Sequence, residues 1–228
     1  SRGLGDVYKR QINNRPTVAQ TFAVANGEKF SVLVNHFKSK GSCPSTSASS
    51  DPDQDQGDGQ GCWNNLRMQQ AHRLVSGFIP QVKAAAGDND VIVIGDLNAY
   101  GKEDPIQLLS DAGFIDQVER FDGQEGYSYV FDGEAGYLDH ALANASISAQ
   151  ISGTTIWKIN ADEPSVIDYN TEFKPQDLYT NEPFRSSDHD PVVIGLNLTK
   201  AINGTTGRDS LVGTAGDDVP VSYTHLTL

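Results

Sequence analysis

Hydrophobic positions near the start of the chain recur every second residue. Residues 21–25 and 29–37 alternate around Asn26-Gly27, a dipeptide that strongly marks a hairpin turn. In the second segment Phe30, Val32, Val34 and His36 share one face, because strand side chains alternate sides. Residues 41–61 are rich in Ser, Asp, Gln and Gly, with nothing to build a core, and read as a loop. The period then changes. Leu66, Ala71, Leu74, Val75, Phe78, Ile79 and Val82 recur at three and four, which predicts a core-facing helix bent near Pro80. Val91, Ile92, Val93 and Ile94 form an unbroken β-branched run, the mark of a strand buried on both faces. Asp104-Pro105 offers an N-cap and a first-turn proline, and Gly113 a stop. Residues 127–131 and 137–143 read as strands about 132–136, and 191–198 as a further buried strand. The expected fold class is α/β (α+β), mixed, with at least six strands.

Length and charge narrow the function. With 228 residues there is room for one domain and part of another. Thirty acidic against seventeen basic side chains give −13, which argues against a broad basic face for polyanions. No apolar run approaches the roughly 18 residues of a membrane span. Phosphate chemistry would therefore need a cation held locally. Residues 1–11 and 220–228 resemble translated adapter sequence and are expected to be foreign to the fold, leaving a domain over 12–199. In residues 200–219, Gly204, Gly207 and Asp209 recur nine positions later as Gly213, Gly216 and Asp218. That period resembles the calcium repeats of repeats-in-toxin proteins, with Ca2+ expected at Asp209 and Asp218; a Gly-rich linker is the plainer alternative.

Four polar segments end apolar strands: residues 35–40 with His36, 95–99 with Asp96 and Asn98, 137–140 with Asp139, and 187–191 with Asp188 and His189. Each alone reads as an ordinary turn or surface loop. Together, imidazoles, carboxylates and one carboxamide at strand tips are the inventory of a metal-assisted hydrolase.

In their order and wording these segments resemble the exonuclease–endonuclease–phosphatase superfamily, and most nearly large secreted bacterial nucleases. The resemblance covers residues 15–198. It implies a four-layer α/β/β/α sandwich with a mixed, largely antiparallel sheet, of which this chain would hold the C-terminal half. It further implies that His189, oriented by Asp139, exchanges a proton with water, and that Asp96 shares in activating that water. Asn98 and His36 would bond the phosphate, and Asp188 with Asp96 would lie at a Mg2+ or Mn2+ ion. The family's metal site also uses an Asn and a Glu from an earlier part of the domain, which this sequence does not supply. The chain alone is therefore expected to be poorly active and to expose an apolar sheet face where a partner half would pack.

Arg67 is a candidate for substrate phosphate, although a structural role beside the acidic loop is the reading favoured. His72 and His140 read as structural. Cys43 and Cys62 flank the loop and suggest a disulfide in an oxidising exterior; two reduced thiols in a cytosolic protein are the alternative. The resulting expectation is an extracellular, metal-dependent nuclease acting on DNA or RNA. A lipid or inositol-phosphate phosphoesterase and a non-catalytic calcium-binding module are the rivals.

Overall fold

The computed structural model describes residues 15–44, 51–167, 178, 181–203 and 218–221. Strands β1 (Val18–Ala23) and β2 (Lys29–His36) form the expected antiparallel hairpin, with Phe22 opposite Phe30 and their rings stacked at 5.4 Å. The turn closes through Gly27 N–H to the Val24 carbonyl at 2.9 Å, and Gly27 takes the positive φ that such a turn needs. After the polar loop come α1 (Asn64–Arg73), a π-helical stretch (Leu74–Phe78) and α2 (Ile79–Ala86). The bend expected at Pro80 takes this π form: proline has no N–H to return, and the ladder widens ahead of it. Gly87, left-handed, closes the helix with its N–H on the Lys83 carbonyl at 3.0 Å.

The helical segment is the crossover that lets β3 (Val91–Asp96) lie parallel to β2. Next come α3 (Asp104–Asp111), β4 (Phe114–Asp116) and α4 (Gln117–Asp122), the last capped by Asp116 through Val118 N–H at 2.9 Å. Two short strands, β5 (Tyr129–Phe131) and β6 (Glu134–Gly136), precede β7 (Asp139–Asn144). The main sheet is mixed and runs β1-β2-β3-β7-β4. Behind a short α5 (Ala145–Ser148), β8 (Ile151–Ile156) and β9 (Val192–Leu196) pair antiparallel as a second sheet.

One face of the main sheet buries Leu33, Val91, Val93 and Leu142 against Leu74 and Phe78 of the helices. The other buries Ile92, Ala143 and Ile151, with Ile194 and Leu196 of β9 against them. The layers are thus helix, sheet and second sheet. Val18, Phe22 and Val34 share that second face, yet remain 61%, 46% and 46% exposed.

Three expectations are corrected. Residues 127–131 do not pair with 137–143: β5 folds back on β6 around Asp132-Gly133, both at positive φ as a two-residue hairpin demands, which sends β7 into the main sheet. The strand at 191–198 is half exposed, not buried, because β8 is its one partner in the second sheet. Its companion β8, with the weak pattern ISGTTI, gave no strand signal.

At the C-terminal end β10 (Lys200–Asn203) pairs parallel with β11 (Asp218–Val221), Lys200 opposite Asp218. That offset of eighteen residues is two of the nine-residue periods. The pairing includes Pro220 and Val221, which were expected to be foreign. Gly204, Gly207, Asp209, Gly213 and Gly216 lie outside the described residues. Among the described residues no helix is long and apolar enough to cross a membrane.

Candidate active site

Strand register builds the site. Parallel β2 and β3 end level, so His36 stands beside Asp96, and antiparallel β7 begins at that level with Asp139 opposite Asp96. Gly95 makes the approach possible, since a Cβ there would lie 2.1 Å from the Asn35 carbonyl oxygen. The fourth segment arrives from the second sheet, and His189 Nδ1 meets Asp139 Oδ2 at 2.6 Å.

Its backbone is clamped from two sides. Asp190 donates its N–H to the Ser128 carbonyl at 2.8 Å, while its Oδ1 accepts from the N–H groups of Ile159, Asn160 and Ala161. Asn160 Nδ2 donates to the His189 carbonyl at 2.7 Å. Ser128 Oγ donates to Asp139 Oδ2 at 2.7 Å, and the Tyr129 ring stacks on the His189 ring at 4.5 Å. Asp139 and Tyr129 thus fix the imidazole itself, and the remaining bonds hold its backbone and its carboxylate partner.

With Nδ1–H given to Asp139, Nε2 is the nitrogen that can take up a proton. Burial opposes the imidazolium, but the hydrogen bond and charge of Asp139 outweigh it, and the His189 pKa is raised. Burial and then the neighbouring Asp139 carboxylate push Asp96 up to about 6, against the Asn98 N–H that holds its Oδ1 at 2.8 Å. His36 is shifted down, by burial first and by the nearby Arg15 guanidinium second; its Nε2 lies 3.3 Å from Asp96 Oδ2. Asp96, Asp139 and His189 offer ligand atoms all within 4.8 Å of one another. Two crowded carboxylates, one with heightened proton affinity, make a fitting donor set for a hard divalent cation.

The structure brings His36, Asp96, Asp139 and His189 together, and with Asn98 and Asp188 they line one cleft of about 880 Å³. Asp188 is not one of the three grouped ligands. Asn98 differs from expectation. It sits in the left-handed region, 8% exposed, and its Nδ2 donates to the Phe37 carbonyl at 3.1 Å and to Asp96 Oδ2 at 2.8 Å. Its amide nitrogen thus braces the two strand tips, while the residue also lines the cleft.

As a phosphate contact, Arg67 is corrected outright. Fully buried, it donates to the carbonyls of Cys62 and Gln60 at 2.8 Å and of Lys38 at 3.2 Å. The pull of those carbonyls draws the guanidinium under the loop. Cys43 and Cys62 are disulfide-bonded, with Cα atoms 5.4 Å apart. His140 is buried between Asp116 and the Ala99 carbonyl, and His72 lies exposed beside Ser76. Of the calcium candidates, Asp209 is outside the described residues and Asp218 opens β11.

Sequence reasoning missed Arg15, Lys40, Ser128 and Tyr129. Arg15 reaches the His36 ring and Lys40 pairs with Glu103, and both line the cleft. The alternation in 127–131 did put Tyr129 on one strand face; nothing local says that this face meets His189.

No curated protein sequence matches the chain. Solved structures do, among them three at low identity. A mannosyl-6-phosphatase from Bacteroides thetaiotaomicron is 16% identical with a TM-score of 0.49, covering 81% of this chain and 59% of that one. An AP endonuclease from Archaeoglobus fulgidus is 12% identical at 0.46, covering 74% and 62%. The 3′ phosphatase NExo from Neisseria, bound to product DNA hairpin, is 15% identical at 0.47, covering 82% and 66%. The chain thus spans roughly three fifths of these proteins. Residues 12–189 match the Endonuclease/Exonuclease/phosphatase family, and the chain belongs to it.

Proposed function

We propose that this chain carries the acid–base centre of a divalent-metal-dependent phosphodiesterase that cleaves nucleic acid, DNA or RNA, outside the cell. The observation that carries the reading is the joining of Asp96, Asp139 and His189 on the floor of one cleft. His189, held through Nδ1 by Asp139, takes the proton of the attacking water at Nε2. Asp96 and Asp139 would hold the cation, Mg2+ or Mn2+, which when bound neutralises charge on the phosphoryl oxygens. His36 and Arg15, on the β2 side, face the same oxygens.

Charge favours a diester. The cleft sets Arg15 and Lys40 against Asp96, Asp139 and Asp188, and such a wall repels a dianionic monoester more than a monoanionic diester. An inositol polyphosphate, with several dianionic groups, suits it less still. The Cys43–Cys62 disulfide supports an oxidising, extracellular setting. Open apolar side chains at Val18, Phe22 and Val34 support a further part of the domain packing there. The eighteen-residue parallel offset supports reading residues 200–219 as the start of a Ca2+ repeat.

The test is hydrolysis by this chain, and by a longer reading frame containing it, of plasmid DNA, an RNA oligonucleotide and a chromogenic phosphate monoester. Mg2+-dependent cleavage of nucleic acid, lost with chelator and in His189→Ala, is expected, with the longer protein more active. Turnover of the monoester alone would overturn it.

A further inference from the structure

We infer that the cleft wall beside His189 is a nucleobase-stacking platform made by Tyr129 and Phe131, and that it selects single-stranded nucleic acid or frayed strand ends. The inference rests on the nucleic-acid reading above and names the form of that substrate.

The rings are set in sequence from the imidazole outward. Tyr129 lies 4.5 Å from the His189 ring at 29°, and Phe131 lies 6.3 Å from Tyr129 at 14°, each pair stacked. Positions 129 and 131 share a strand face, so β5 presents both rings on the same side. Phe131 is 66% exposed and lines the cleft, so its flat face is open to a ligand. Tyr100 extends the surface. It closes on Gly136, opposite Tyr129 in the hairpin, where any Cβ would come 2.7 Å from the Tyr100 ring. Above Tyr100 stands Lys40 Nζ, 4.7 Å from the ring centroid, a cation within the same cleft.

A phosphate bound at His189 carries its nucleoside one step away, past Tyr129, which is stacked on His189, to the open ring of Phe131. A base inside a duplex has both faces taken by its neighbours, and only an unpaired or terminal base can lie on an aromatic ring. The charge balance points the same way. At −13 the protein cannot track a long phosphate backbone, so affinity must come from rings and a few local cations.

Binding is read by fluorescence anisotropy with the full chain in Mg2+, using a labelled octathymidylate with a hydrolysis-resistant phosphorothioate backbone. A strand of equal length and charge with abasic sugars is the control. Octathymidylate is expected to bind about tenfold more tightly than the abasic strand, and a G·C-rich duplex with the same backbone, closed by an abasic loop at each end, to fall to the abasic level. Phe131→Ala removes the preference and leaves the abasic strand unchanged, while Phe131→Tyr keeps it. Equal binding of the two strands, no binding of either, equal loss on both in Phe131→Ala, or displacement by a hexose 6-phosphate but not by thymidine monophosphate overturns the inference. If the preference is present and the longer reading frame cleaves neither plasmid DNA nor the RNA oligonucleotide, the platform stands and the catalytic reading falls.

Discussion

Asp96 and Asp139 stand directly opposite each other across the β3–β7 ladder, two carboxylates in one cross-strand pair. Like charges so placed weaken a sheet, and burial adds to the strain by pushing Asp96 up to about 6. A divalent cation between such groups would turn the repulsion into attraction.

Stability should therefore fall with pH where Asp96 ionises. The folded-state pKa of Asp96 is raised above its ordinary value of 3.8, so its contribution is complete below about 4 and disappears as pH climbs through about 6. The loss in metal-free protein is on the order of 3 kcal/mol. Urea titrations in EDTA at pH 4 and pH 7 should show this decline in wild type and lack it in Asp96→Asn. Mg2+ should raise the melting temperature more at pH 7 than at pH 4, where the protonated acid is a poor ligand. An equal Mg2+ effect at both values would rule out Asp96 as a ligand.

Replacing His189 by Ala should lower Mg2+-dependent hydrolysis by about 10²–10⁴-fold, the usual worth of a positioned acid–base group. Asp139→Asn should lower the rate as well and move the rising limb of its pH profile to lower pH, because the carboxylate that raises the His189 pKa is gone. Rates near wild type in either variant would remove that residue from the chemistry.

Arg67 predicts a purely structural defect. Arg67→Leu leaves three carbonyls without their donor and should destabilise by roughly 3–5 kcal/mol in urea unfolding. Arg67→Lys should recover little, since one ammonium cannot reproduce the planar fork. Intact stability in Arg67→Leu would show that water replaces those contacts.

Reducing the disulfide should cost about 3 kcal/mol for a loop of this size. Calorimetry with and without reductant should then differ by roughly 6–12 °C.

The parts of this site that could be read in the sequence are those that strand periodicity and turn chemistry determine locally. Val91–Ile94 announces a buried strand, and the polar residue ending it, Asp96, falls at the tip of the sheet's central strand as a consequence. His36, Asp139 and His189 followed by the same logic. What stayed hidden depends on neighbours distant in the chain. The hydroxyl of Ser128 matters because β5 passes under Asp139, and Asn98 turns inward because the Phe37 carbonyl happens to lie within reach. A structural role for Arg67 is legible, but with acidic side chains as its expected partners, and a covalent tie nearby made carbonyls its surroundings. β8 escaped notice since Gly153 and two threonines blur its alternation and its partner lies some forty residues on.

The Asp- and Gly-rich loop is closed by Cys43–Cys62 at its two stems and gripped from beneath by Arg67, and Asp53 and Gln60 tie its second half to α1 and α3. Doubling its length would cost only about 0.6 kcal/mol in closure entropy. Foreign peptides, affinity handles or reporter epitopes could be grafted between those stems with the strand tips left where they are.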